Sequence, residues 1–150
     1  MLRNDLPPLN PDPPPQPRLA PAWVSFAAAW LGLIVLITAR EIDQVYEWSA
    51  HEPAGLRVGL EQSVIDVVKY DRDVTGLAEK DALVIRYFRA LLREHRVSSE
   101  LWAKMVSEFG RQRTVDMMML MADYFTVGTM MNATDQHLPP DRKALLPPKK

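Results

Sequence analysis

Residues 40–53 read Arg40-Glu41-Ile42-Asp43-Gln44-Val45-Tyr46-Glu47-Trp48-Ser49-Ala50-His51-Glu52-Pro53, and they gather one histidine, four carboxylates and two aromatics. Wound as a single helix, Arg40, Gln44, Glu47 and His51 follow one another at steps of 4, 3 and 4 and share a face. That face carries a cation, an amide, a carboxylate and an imidazole, with Tyr46 and Trp48 beside it. Such a row suits proton transfer or the grip of a small polar molecule. It equally describes a hydrogen-bonded row buried between helices.

Working outward, residues 19–39 contain no charge over 21 positions, a length just sufficient for a bilayer-spanning helix. The flanks mix Arg3, Arg18 and Arg40 with Asp5, Asp12, Glu41 and Asp43, which gives no clear orientation signal. The competing expectation is a helix buried on all sides, in a core or between subunits. Ahead of it, residues 1–21 hold eight of the thirteen prolines and are expected as an extended or disordered arm. Residues 22–150 form the helical domain.

Downstream the period is helical throughout. Residues 60–70 form a short element in which Ser63 and Asp66 are expected as a capping pair, and residues 71–76 are a polar turn. Residues 79–95 place Leu83, Val84, Tyr87, Phe88, Leu91 and Leu92 on one stripe. Ser98 or Ser99 caps the next helix, which stops at Gly110. Residues 115–131 form a long apolar helix, and residues 135–150 an irregular tail with four prolines. Arg111 and Arg113 are expected on an exposed turn, and Asn132 against the loop at Leu138 and Pro139. No window alternates with period two, so the fold class is all-α.

Composition narrows the chemistry. Eighteen basic residues against nineteen acidic ones give a formal charge of -1, without the dense basic run of a nucleic-acid binder. With no cysteine, disulfides, thiol catalysis and thiolate metal sites are excluded. The three histidines, His51, His95 and His137, are too dispersed for a metal site by themselves. Met117, Met118, Met119, Met121, Met130 and Met131 lie on one apolar helix and read as core and subunit contact rather than a soft-metal site. The expectation is cofactor-free, metal-free chemistry, or binding, in the cytoplasm.

The order of several short pieces adds a resemblance. Residues 36–40 (LITAR), Tyr46-Glu47-Trp48 and His51-Glu52-Pro53 come first, and Gly59 closes their helix. Gly76-Leu77, Asp81-Ala82, and residues 90–98 follow, then Met131-Asn132-Ala133 and Leu138-Pro139-Pro140. Together they resemble the carboxymuconolactone decarboxylase family, which includes the alkylhydroperoxidase-D-like (AhpD-like) proteins. The resemblance spans residues 33–148. It implies an AhpD-like helical domain that assembles as a homo-oligomer, a trimer or a hexamer.

The peroxidase branch of that family carries a Cys-x-x-Cys pair, a histidine four residues beyond the second cysteine, and a glutamate twelve residues ahead of the first. With His51 on that histidine, Gln44 and Glu47 stand at the cysteine positions and Gly32 at the glutamate. Thiol peroxidase activity is therefore excluded. The decarboxylase branch works without cysteine on small lactone acids. It implies His51 as catalytic acid–base, with Glu47 one turn away as its orienter or as a second catalytic group. Arg40 would clamp a substrate carboxylate, and Gln44, Tyr46 and Trp48 would line the pocket. The alternatives are a non-catalytic homologue kept as a binding or assembly module, and a helical domain tethered to a membrane by residues 19–39.

Overall fold

A computed structural model of the chain describes residues 22–149, with side chains from Ala28 onward. The proline-rich arm, residues 1–21, lies outside the described residues. Six helices follow in order: α1 (Ala22–Glu41), α2 (Val45–Arg57), α3 (Gln62–Lys69), α4 (Glu79–Glu94), α5 (Ser99–Phe109) and α6 (Arg111–Ala133). No strand occurs among the described residues, so the domain is all-α.

α1 is the hub, packed against α2, α3, α4 and α6. Its apolar run explains this position, because a helix that is hydrophobic all round must be covered all round. Leu33, Ile34, Leu36 and Ile37 retain no exposed surface. Each such burial is worth about 1.5–3 kcal/mol. Residues 33–39 of the uncharged run therefore face protein, while Leu31 is 44% exposed. Among the described residues, no helix is long and apolar enough to cross a membrane.

The layer around α1 follows from the same periodicity. α4 turns Ala82, Leu83, Val84, Ile85, Tyr87 and Phe88 inward, and α3 contributes Val64, Ile65, Val67 and Val68. Trp30 of α1 donates to Asp81 Oδ1 at 3.0 Å and meets the Phe109 ring edge-on at 4.9 Å, which ties α1 to α4 and α5. α1 and α2 cross closely at two glycines, where a Cβ built on Gly32 reaches the Gly55 Cα at 3.5 Å.

Four helices end in one local structure. After α1, Asp43 donates to the Arg40 carbonyl and Gln44 to the Ala39 carbonyl. The same paired bonds recur at Gly59 and Leu60, at Asp71 and Arg72, and at Asp135 and Gln136. In each case the residue after the helix end has positive φ: 53° at Asp43, 95° at Gly59, 51° at Asp71 and 54° at Asp135. This is the Schellman arrangement, and it satisfies carbonyls that the last turn leaves without partners. Aspartate tolerates the left-handed region better than most non-glycine residues, so three aspartates serve where glycine is usual.

Three local expectations change. α3 starts at Gln62, and Ser63 bonds to Glu61 instead of pairing with Asp66. Arg111 and Arg113 are exposed, as expected, but lie in the first turn of α6, because Gly110 separates α5 from α6 without a longer loop. Asn132 borders one cavity with Leu138, but its side-chain hydrogen bonds go to the α1–α2 corner. Its amide donates to the Ile42 carbonyl at 2.8 Å and accepts from Gln44 at 3.0 Å, so α6 is pinned to the α1–α2 corner.

The tail is irregular but docked. Leu146 is buried, the Leu145 N–H donates to Ser49 Oγ at 3.0 Å, and Lys149 Nζ donates to the Glu41 carbonyl at 3.0 Å. A second clasp lies nearby. Arg93 of α4 holds both Glu41 oxygens, at 2.5 and 2.9 Å, and reaches Asp71 at 2.6 Å.

Candidate functional site

The single helix expected over residues 40–51 is two helices. Asp43 in the left-handed conformation ends α1, and Gln44 becomes the N-cap of α2. Arg40 therefore belongs to a different element from Glu47 and His51, and the four-residue face does not form. The cause is local: the paired bonds at Asp43 and Gln44 close off α1 before the next turn can add.

Gln44 is only 2% exposed, and both ends of its amide are committed to structure. Oε1 accepts from the Tyr46 and Glu47 N–H groups at 2.6 and 3.3 Å, while Nε2 donates to Asn132. Glutamine is not among the favoured N-cap residues, yet here it satisfies two of the donors left open at the start of α2. Gln44 and Tyr46 also border a cavity of about 370 Å3 shared with Asn132, Asp135 and His137. His51 and Glu47 do not line that cavity.

Trp48 lies elsewhere again. It has no exposed surface, and its indole donates to Glu52 Oε2 at 2.5 Å. Lys69 of α3 closes the arrangement, with Nζ 2.8 Å from Glu52 Oε1 and 5.8 Å from the Trp48 ring. Trp48 is thus a core residue bound to a buried ion pair rather than a pocket wall. The same holds for Glu52, whose neighbours account fully for its burial.

His51 and Glu47 do come together. One turn apart on α2, they bring Nε2 and Oε2 to 3.2 Å. Their side chains are 30% and 13% exposed, so the imidazole reaches solvent while the carboxylate is mostly enclosed. Tyr124 of α6 covers the other flank, its ring edge-on to His51 with centroids 5.1 Å apart. Burial, reinforced by the charges of Glu47 and Asp123, holds the Tyr124 phenol above its ordinary pKa. At neutral pH it is a neutral O–H group. The assembly is an imidazole beside a carboxylate, with a phenol ring on its other flank, residue types able to pass a proton to or from a small molecule.

Tyr124 was not apparent in the sequence, because 73 positions separate it from His51 and no local pattern links the two. His95 and His137 are exposed; His95 adopts φ 60° at the end of α4, and His137 sits 3.2 Å from Asp135. Among the described residues, no group of three or more histidines or carboxylates is arranged to hold a metal ion.

Arg40 is 3% exposed and turns towards the tail, where Nη1 donates to the Pro147 carbonyl at 2.6 Å. It lines a separate cavity of about 520 Å3 with Lys69, Asp71, Arg72 and Lys149. Among known proteins, the chain matches no family model, no curated protein and no solved structure.

Proposed function

We propose that this chain is a cysteine-free member of the carboxymuconolactone decarboxylase and AhpD-like group. On this reading it binds a small organic acid or lactone and moves its protons at His51. The observation that carries the proposal is the 3.2 Å His51–Glu47 pair at the surface seam of α2 and α6. Glu47 selects the tautomer and the ring orientation, and His51 exchanges the proton. Decarboxylation or isomerisation of a lactone acid needs a proton delivered to, or taken from, carbon next to a carbonyl, and this pair needs no cofactor for that step.

A homo-oligomer accompanies the proposal. Val115, Met119, Phe125, Val127 and Met130 all leave large apolar surface exposed on α6. A second copy of the chain covers such a face more economically than water does. That face adjoins Tyr124, so the partner would also shape the walls around His51.

The second reading is a binding or assembly module without turnover. It is favoured by the cavity at Gln44 and Tyr46, which excludes His51 and Glu47. A panel of lactone acids followed by absorbance, with light scattering on the same samples, separates the two readings. Turnover lost in His51→Ala, with the oligomer unchanged, supports catalysis. Turnover in His51→Ala equal to that of the parent chain, or none in the parent, overturns it.

A further inference from the structure

We propose that the cavity between the ends of α1 and α3 and the C-terminal tail is a binding site for a phosphate dianion, separate from the His51 site. The wall carries four cations, Arg40, Lys69, Arg72 and Lys149, against one carboxylate, Asp71. Most of these charges are already matched. Lys69 is held by Glu52 at 2.8 Å, Lys149 lies 3.6 Å from Asp43, and Asp71 is taken by Arg93 at 2.6 Å and Arg89 at 3.2 Å.

Two cations remain short of a counter-charge. Arg72 has no carboxylate partner among the described residues, and its guanidinium lies over the Tyr70 ring, 4.8 Å from the centroid. Arg40 is the sharper case. It is 3% exposed, and the nearest carboxylate, Asp43, is 3.8 Å away and half exposed. Its Nε is buried with no hydrogen-bond partner. A guanidinium removed from water needs a close anion or a full set of acceptors, and Arg40 has one carbonyl.

The geometry also selects the anion. A planar carboxylate binds arginine best through two adjacent N–H groups. In Arg40 one Nη1–H is already given to the Pro147 carbonyl, so its end-on fork is partly occupied, while Nε has no partner. A tetrahedral oxyanion accepts single donors from several directions, and here the donors come from α1, from the turn after α3 and from the tail. Two unmatched positive charges suit a dianion, and 520 Å3 is ample for a phosphate group. Free phosphate and the phosphate of an ester share this chemistry.

The test uses the full chain and inorganic phosphate, at constant ionic strength so that screening does not change. Calorimetry gives the affinity, and the Arg40 Nε–Hε resonance reports the site. The expected result is saturable binding with Kd about 1 mM or tighter, a shift of that resonance, and clearly weaker acetate binding. Arg72→Ala and Lys149→Ala, both on exposed side chains, weaken binding about 5-fold or more, and Asp71→Asn tightens it. A simple phosphate ester competes if the site takes esters as well as the free ion. His51→Ala leaves binding unchanged, which keeps this result independent of the catalytic proposal. Non-saturable phosphate binding, equal binding of acetate, or an unmoved Arg40 resonance overturns the site.

Discussion

Among the described residues, Lys69 is the only cation within bonding distance of the buried Glu52 carboxylate, and Lys69→Met removes it. Glu52 and Lys69 have side chains 9% and 11% exposed, so solvent offers little screening. Methionine fills much the same volume, which keeps the cavity contribution small. Loss of one partner from a buried pair costs about 3–5 kcal/mol, because the remaining charge stays desolvated. Trp48 keeps its hydrogen bond to Glu52 and offsets part of that loss. The cation–π contact between Lys69 and Trp48 adds back about 0.5–1 kcal/mol. A net destabilisation of about 3 kcal/mol follows. Adding Glu52→Gln removes the stranded charge while keeping an acceptor for Trp48, so the double variant returns to within about 1 kcal/mol of the parent. Urea unfolding followed by tryptophan fluorescence measures both, at one fixed protein concentration so that any association contributes equally. A Lys69→Met variant within about 1 kcal/mol of the parent, or a double variant no better than the single, refutes the buried-pair argument.

Three further outcomes are expected. Asn132→Ala costs about 1–2 kcal/mol in the same assay, since it leaves the enclosed Gln44 amide and the Ile42 carbonyl without their partner; an unchanged midpoint would show that the corner holds without it. Gly128→Ala is destabilising despite a helix-propensity gain of about 1 kcal/mol, because the new Cβ comes to 2.5 Å of Ile42 Cδ1 and 3.2 Å of Gln44 Cγ. Ile42 can rotate away but the pinned Gln44 cannot, and a higher melting temperature would contradict this. For Asp71, burial opposes ionisation, but the hydrogen bond from Arg93 and the charges of Arg93, Arg89 and Arg40 outweigh it and lower the pKa. That contribution is present above the usual carboxylate value of about 4 and disappears as pH falls through the lower folded value. Asp71→Asn therefore unfolds more easily at pH 7, and its deficit closes in acid; a deficit independent of pH would exclude the electrostatic cause.

Helix after helix was legible in the sequence because each depends on neighbours a few positions away. The stripe on α4, the Ser98 cap, with Oγ 3.1 Å from the Leu101 N–H, and the Gly59 and Gly110 stops are all local signals. The break at Asp43 was also local but easily overlooked, since aspartate announces a left-handed helix end far less loudly than glycine does. That break puts Arg40 on a different helix from His51. The Glu47–His51 pair survived because it lies one turn apart within α2.

By itself, then, the sequence determined an all-α chain, the absence of thiol chemistry, and the pairing of His51 with Glu47. Periodicity, residue inventory and i to i+4 geometry require no knowledge of distant contacts. Only the tertiary structure decided that the uncharged run from residue 28 onward is the hub of a helical core, that Trp48 is buried on Glu52 and Lys69, and that Tyr124 stands beside His51. It likewise sent Arg40 to the tail, opposite Pro147. These outcomes depend on which helix faces meet, and on how buried charge finds its partner across long stretches of chain.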